Sequence, residues 1–86
     1  MNAKEAAVHV TRPADLGALV ADRREQRGLT QQELADRAGV TRDWLNRFER
    51  GRPAVTLHRV FWVLEALGLT MDVHDTEDEE LDDARR

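Results

Sequence analysis

TQQELADRAGVTRDWLNRFERG, residues 30–51, is the stretch that decides how this chain folds. Thr30 is followed three places on by Glu33. That spacing is a capping box, in which the threonine oxygen takes one free helical amide and the glutamate reaches back to another. Leu34, Ala35 and Ala38 then recur at helical spacing, and Gly39 breaks the helix after about two turns. Val40 is expected to plug the turn into the core. Thr41 caps a second short helix with Leu45 and Phe48 on its inner face and Arg42, Asp43, Asn46 and Arg47 pointing outward. Gly51 closes that helix, and Pro53 keeps the loop from resuming one.

Working outward, Pro13 suits a first helical position, because its missing N–H would be unpaired there in any case. Leu16, Leu19, Val20 and the stem of Arg23 or Arg24 follow as an amphipathic stripe, and Gly28 ends it. On the other side Thr56 caps a fourth helix, with Leu57, Val60, Phe61, Leu64 and Leu67 as its buried stripe and Gly68 as its stop. Trp62 and Met71 read as core or dimer-interface residues, and every glycine as punctuation at a helix end or turn. Beyond Gly68, Leu69, Met71 and Val73 alternate with Thr70, Asp72 and His74, the period of a half-buried strand. A lone strand leaves its backbone groups unpaired. Its partner is either Val8-His9-Val10 or the same strand of a second copy.

With 86 residues the chain makes one small domain, and with no cysteine it has neither a disulfide framework nor a thiolate metal site. Small cores of this kind often gain stability by self-association. No apolar run approaches the ~20 residues needed to span a bilayer and no signal segment opens the chain, so a soluble, cytoplasmic protein is expected. Net charge is −4, but it is unevenly spread. Residues 75–86 hold seven acids and two arginines, whereas the segment from Arg37 to Arg59 holds six arginines against Asp43 and Glu49. The acidity sits in a tail and the centre is basic. His9, His58 and His74 are scattered, with no carboxylate or cysteine at ligand spacing, so no metal is expected. The chain has no nucleophile–base–orienter set and no phosphate-cradling loop. Neither an enzyme nor a cofactor is expected.

Two short capped helices with a glycine at the turn make a helix-turn-helix, whose second helix lies in the DNA major groove. The order TQxxLAxxxGV, TxxxLNxFExG and TLxxVxxxLxxLG sharpens the pattern. It resembles the Cro/C1 (Xre) helix-turn-helix superfamily over roughly residues 12–68. LTMDV after the fourth helix and TRPADLGALV before the first make it most like the HipB-type antitoxins. The resemblance implies an all-α, four-to-five-helix repressor-like domain with a short C-terminal β-strand pairing across a dimer. It divides the chain into a lead-in (1–11), the DNA-binding domain (12–68), a dimerisation strand (69–74, through Leu69, Met71 and Val73) and an acidic disordered tail (75–86).

The resemblance also implies site residues. Gln31 would hydrogen-bond a phosphate beside a helix N-terminus. Thr41, Arg42, Asp43, Asn46 and Arg47 would present the recognition helix, and Arg50 and Arg52 would neutralise phosphates, with His58 or Arg59 as further candidates. Asp43 would either accept from cytosine N4 or favour the helix dipole. Trp44, where the family carries a smaller polar residue, would lie either against the DNA or on the first helix. Arg24 and Glu49 would form a structural ion pair, a device for orientation more than stability. The implied function is a repressor that binds a palindromic operator as a homodimer and neutralises a HipA-like kinase toxin. Two alternatives stay open: a protein-binding module with weak DNA affinity, and a stand-alone phage-type regulator.

Overall fold

The computed structural model describes residues 8–52 and 55–76. Four helices follow in order: α1 (Pro13–Gln26), α2 (Gln31–Ala38), α3 (Arg42–Glu49) and α4 (Leu57–Ala66). The starts of α1, α2 and α3 have a local cause. Pro13 opens α1, and the Asp15 carboxylate receives the backbone N–H groups of Thr11 and Arg12 at 3.1 Å each and the Thr11 hydroxyl at 3.2 Å. Those hydrogen bonds, the one from the Thr11 backbone foremost, hold the Asp15 carboxyl below its ordinary range. The capping box at α2 is complete: Glu33 N–H donates to Thr30 Oγ1 at 3.0 Å and Thr30 N–H to Glu33 Oε1 at 2.9 Å. Thr56 precedes α4 but makes no side-chain cap hydrogen bond, contrary to the sequence expectation.

The helices enclose one core. Val20, Leu34, Ala35, Leu45 and Val63 are fully buried, with Phe48, Val60, Leu64 and Leu67 nearly so. α2 packs on both α3 and α4, and α1 packs on α3. Val40 is half-buried and packs against this core, as the turn position predicts.

Two expectations need correction. The buried stripe of α4 is Val60, Val63, Leu64 and Leu67, while Leu57 is 64% exposed and Phe61 49%. The helix is rotated so that Val63 takes the inner place assigned to Phe61. Trp62, read as core or dimer interface, is 45% exposed in the single chain and outside its core. Finally, Gly17 punctuates nothing. It lies inside α1, where a Cβ would stand 2.0 Å from the Phe48 carbonyl oxygen, and so permits α1 to cross α3 backbone to side chain-less backbone.

Among the described residues there is no fifth helix and no strand. No ladder joins residues 8–10 to residues 69–74, so the intrachain pairing is not formed. Leu69 packs against the core, whereas Met71 is 42% and Val73 94% exposed. The lead-in before Val8, the turn at Pro53 and the tail beyond Thr76 lie outside the described residues.

Candidate nucleic-acid interface

The centre of the site is α3 and the turn that aims it. Gly39 has φ 78° and ψ 29°, a left-handed conformation that glycine adopts without strain. Its N–H and that of Val40 both donate to the Ala35 carbonyl, at 2.9 and 3.0 Å, which closes α2 and turns the chain back. Thr41 then caps α3, its hydroxyl accepting from Trp44 N–H at 3.0 Å. Trp44, Leu45 and Phe48 are buried, and the Trp44 ring stacks on Phe48 with centroids 5.2 Å apart. Trp44 is thus a buried packing residue whose ring partner is Phe48 of its own helix. Arg42, Asp43 and Arg47 are left on the exposed face of the same helix.

A polar chain fixes α3 to its neighbours. Arg24 Nε donates to Glu49 Oε2 at 2.8 Å, and Arg24 Nη2 to Glu49 Oε1 at 3.1 Å, a bidentate pair whose side chains are 12% and 5% exposed. Arg24 Nη1 also donates to the Leu29 carbonyl at 2.8 Å. The pairing with Glu49 raises the Arg24 pKa above its already high ordinary value, so the guanidinium is charged at any working pH. Gln31 Nε2 donates to Glu49 Oε1 at 2.9 Å, and Asn46 Nδ2 donates to Gln31 Oε1 at 3.3 Å. The chain Arg24–Glu49–Gln31–Asn46 thus links α1, α2 and α3. Sequence reasoning placed Gln31 and Asn46 separately on DNA and missed their mutual bond. The second N–H of Gln31 Nε2 is not used in this chain of hydrogen bonds.

Between α3 and the start of α4, Arg47, Arg52 and Arg59 line a concavity of about 170 Å³ together with Trp44, Phe48, Val55 and Thr56. Among the described residues Arg42, Arg50, Arg52 and Arg59 form no ion pair, so their charge is available to an anion. Arg59 is a cation that sequence reasoning left as one of two candidates. Its place in the first turn of α4 sets it beside Arg52. Arg47 instead lies 3.0 Å, Nη2 to Oδ2, from Asp43. Among the described residues no cluster of His, Asp or Glu could hold a metal.

Residues 15–83 match the helix-turn-helix domain family. The chain belongs to the Cro/C1-type helix-turn-helix family. An HTH-type transcriptional regulator of Sinorhizobium fredii is 39% identical over 67 residues, 78% of this chain and 88% of that protein. Among solved structures, a chain of the HipA–HipB–O2–O3 complex superposes with a TM-score of 0.76 at 31% identity, over 83% of this chain and 100% of that one. The restriction-modification controller protein C.AhdI from Aeromonas hydrophila superposes with a TM-score of 0.63 at 28% identity, over 67% of this chain and 88% of that one. In a helix-turn-helix regulator α3 is the recognition helix and α2 the helix that crosses the backbone. The exposed face of α3 carries Arg42, Asp43 and Arg47, and the unpaired arginines lie beyond it. No helix among the described residues is long and apolar enough to cross a membrane.

Proposed function

We propose that this protein is an operator-reading repressor that works as a homodimer in the cytoplasm and serves as the antitoxin partner of a HipA-like kinase. The observation that carries the DNA reading is the α3 face. Arg42 and Arg47 project from a helix locked in place by the Arg24–Glu49–Gln31–Asn46 chain. Arginine can address guanine O6 and N7 with two N–H groups, and each such pairing discriminates by about 1–3 kcal/mol. Gln31, Thr41, Arg50, Arg52 and Arg59 supply the phosphate contacts that position the helix. Asn46, already tied to Gln31, contributes more to the pose of the helix than to base reading.

Dimerisation is supported by the apolar residues left outside. Leu57, Phe61, Trp62, Met71 and Val73 are all exposed in the single chain. They lie on α4 and the segment after it, and Phe61 and Met71 border one groove. An exposed apolar surface of this kind marks an interaction site. Residues 69–74, unpaired within the chain, would pair with their twin as a strand. Two-fold symmetry would set the recognition helices into successive major grooves, about 34–36 Å apart, on a palindromic operator. The antitoxin role is supported by the likeness to a chain of the HipA–HipB–O2–O3 complex over 83% of this protein.

A reporter driven by DNA from upstream of the protein's own coding sequence tests the reading. Repression by wild type, lost in Arg42→Ala, together with co-purification of a HipA-like kinase, is the expected result. Repression without kinase binding would leave a stand-alone regulator. Kinase binding without repression would leave a protein-binding module.

A further inference from the structure

We propose that Asp43 sets the base preference of this protein by positioning Arg47, without touching a base itself; the inference rests on the operator-reading function above. The geometry is specific to one edge of the guanidinium. Nη2 of Arg47 lies 3.0 Å from Asp43 Oδ2, and Nε of Arg47 donates a long hydrogen bond of 3.5 Å to the Asp43 carbonyl oxygen. Asp43 thereby occupies the Nε–Nη2 side. The end of the guanidinium, with both N–H groups of Nη1 and the second of Nη2, stays free. Two N–H groups presented end-on fit the O6 and N7 acceptors of guanine.

Such an exposed arginine would otherwise sample many rotamers and give up that freedom on binding. Here the carboxylate one helical turn earlier draws it down beforehand. Arg52 and Arg59 line the same concavity as Arg47, so like charges act on it from that side and Asp43 supplies the opposing pull. The pair has little to do with folding. Its side chains are 57% and 80% exposed, where an ion pair contributes little to stability. A carboxylate on the groove-facing helix also repels phosphates. It therefore weakens binding to random DNA, which depends on phosphates, more than binding to a site where Arg47 finds its guanine.

The test is selection of duplexes from a randomised DNA library by wild type, Asp43→Ala, Asp43→Asn, Arg47→Ala and the Asp43→Ala/Arg47→Ala double variant, followed by affinity measurement on the selected duplex and on a random one. Circular dichroism melts check that every variant is folded. Arg47→Ala is expected to relax one base pair, with discrimination there falling about 5- to 150-fold. Asp43→Ala is expected to relax that same base pair, by roughly 3- to 10-fold, and to tighten binding to the random duplex. Asp43→Asn should share the tightening, because the charge is gone. The double variant should discriminate no worse than Arg47→Ala alone. Relaxation at a different base pair by Asp43→Ala would mean that the carboxylate reads a cytosine directly, and would overturn the proposal. So would undiminished discrimination in Asp43→Ala, or additive losses in the double variant. If wild type selects no sequence at all, the operator-reading function fails first and this inference with it, a result unmistakable from the others.

Discussion

Gly17 and Glu49 show how much of this fold rests on single atoms. A helical glycine is ordinarily improved by alanine, by about 1 kcal/mol. At Gly17 the added Cβ would meet the Phe48 carbonyl oxygen at 2.0 Å, and backbone cannot step aside as a side-chain end can. Gly17→Ala should therefore destabilise the protein by about 1–3 kcal/mol, the cost of overpacking, as read by urea denaturation. Glu49→Ala should cost more, about 3–5 kcal/mol, because it leaves the nearly buried Arg24 guanidinium with only the Leu29 carbonyl and the exposed Glu25 carboxylate 3.7 Å away, and strips Gln31 of an acceptor. A urea midpoint equal to wild type would refute either expectation. These two residues also mark what was legible. The Arg24–Glu49 pair came from a motif shared with a family, and the atoms lie 2.8 Å apart. Gly17 carried no signal, because a mid-helix glycine looks neutral until the helix that crosses it is known.

Among the elements, α1 and α4 teach opposite lessons. The start of α1 is local chemistry, legible from Pro13, and it makes a pH prediction. Asp15 has its pKa lowered in the folded protein, chiefly by the Thr11 backbone hydrogen bond. A group whose folded pKa lies below its unfolded one contributes stability that is full above the unfolded pKa and is lost as pH falls through the folded one. Thermal midpoints of wild type and Asp15→Asn should therefore differ at neutral pH, with wild type higher, and converge as pH falls below the ordinary carboxyl value of 3.8. Their staying apart in acid would contradict this. The rotation of α4 was not legible. The expected stripe and the observed one share Val60, Leu64 and Leu67, and differ only in whether Leu57 and Phe61 or Val63 turn inward. Both satisfy helical spacing; packing against α2 decides. The short segment after Gly68 shows the same limit, since alternation predicts a strand only where a partner exists to pair with it.

For the whole molecule, the sequence total of −4 hides a basic centre, which a count of charge by segment brings out. The apolar residues that escaped the core make up the dimer interface proposed above. Phe61→Ser should leave the fold intact, because the side chain is 49% exposed, yet weaken the dimer in sedimentation equilibrium. Met71→Pro should yield monomers if residues 69–74 pair with their twin, and a dimer that survives it would rule that pairing out. On DNA, Arg52→Ala should lower the slope of log affinity against log salt by about 1, with sequence preference unchanged. The central claim, that an acidic chain reads DNA through the exposed face of α3, is tested most directly by fluorescence anisotropy. The probe is duplex DNA from upstream of the protein's own coding sequence, at low and physiological salt, with wild type beside Arg42→Ala. Wild type should bind in a salt-sensitive way, and the variant should still bind but no longer prefer this duplex to random DNA. Equal affinity of wild type for the two duplexes at both salt concentrations would contradict it.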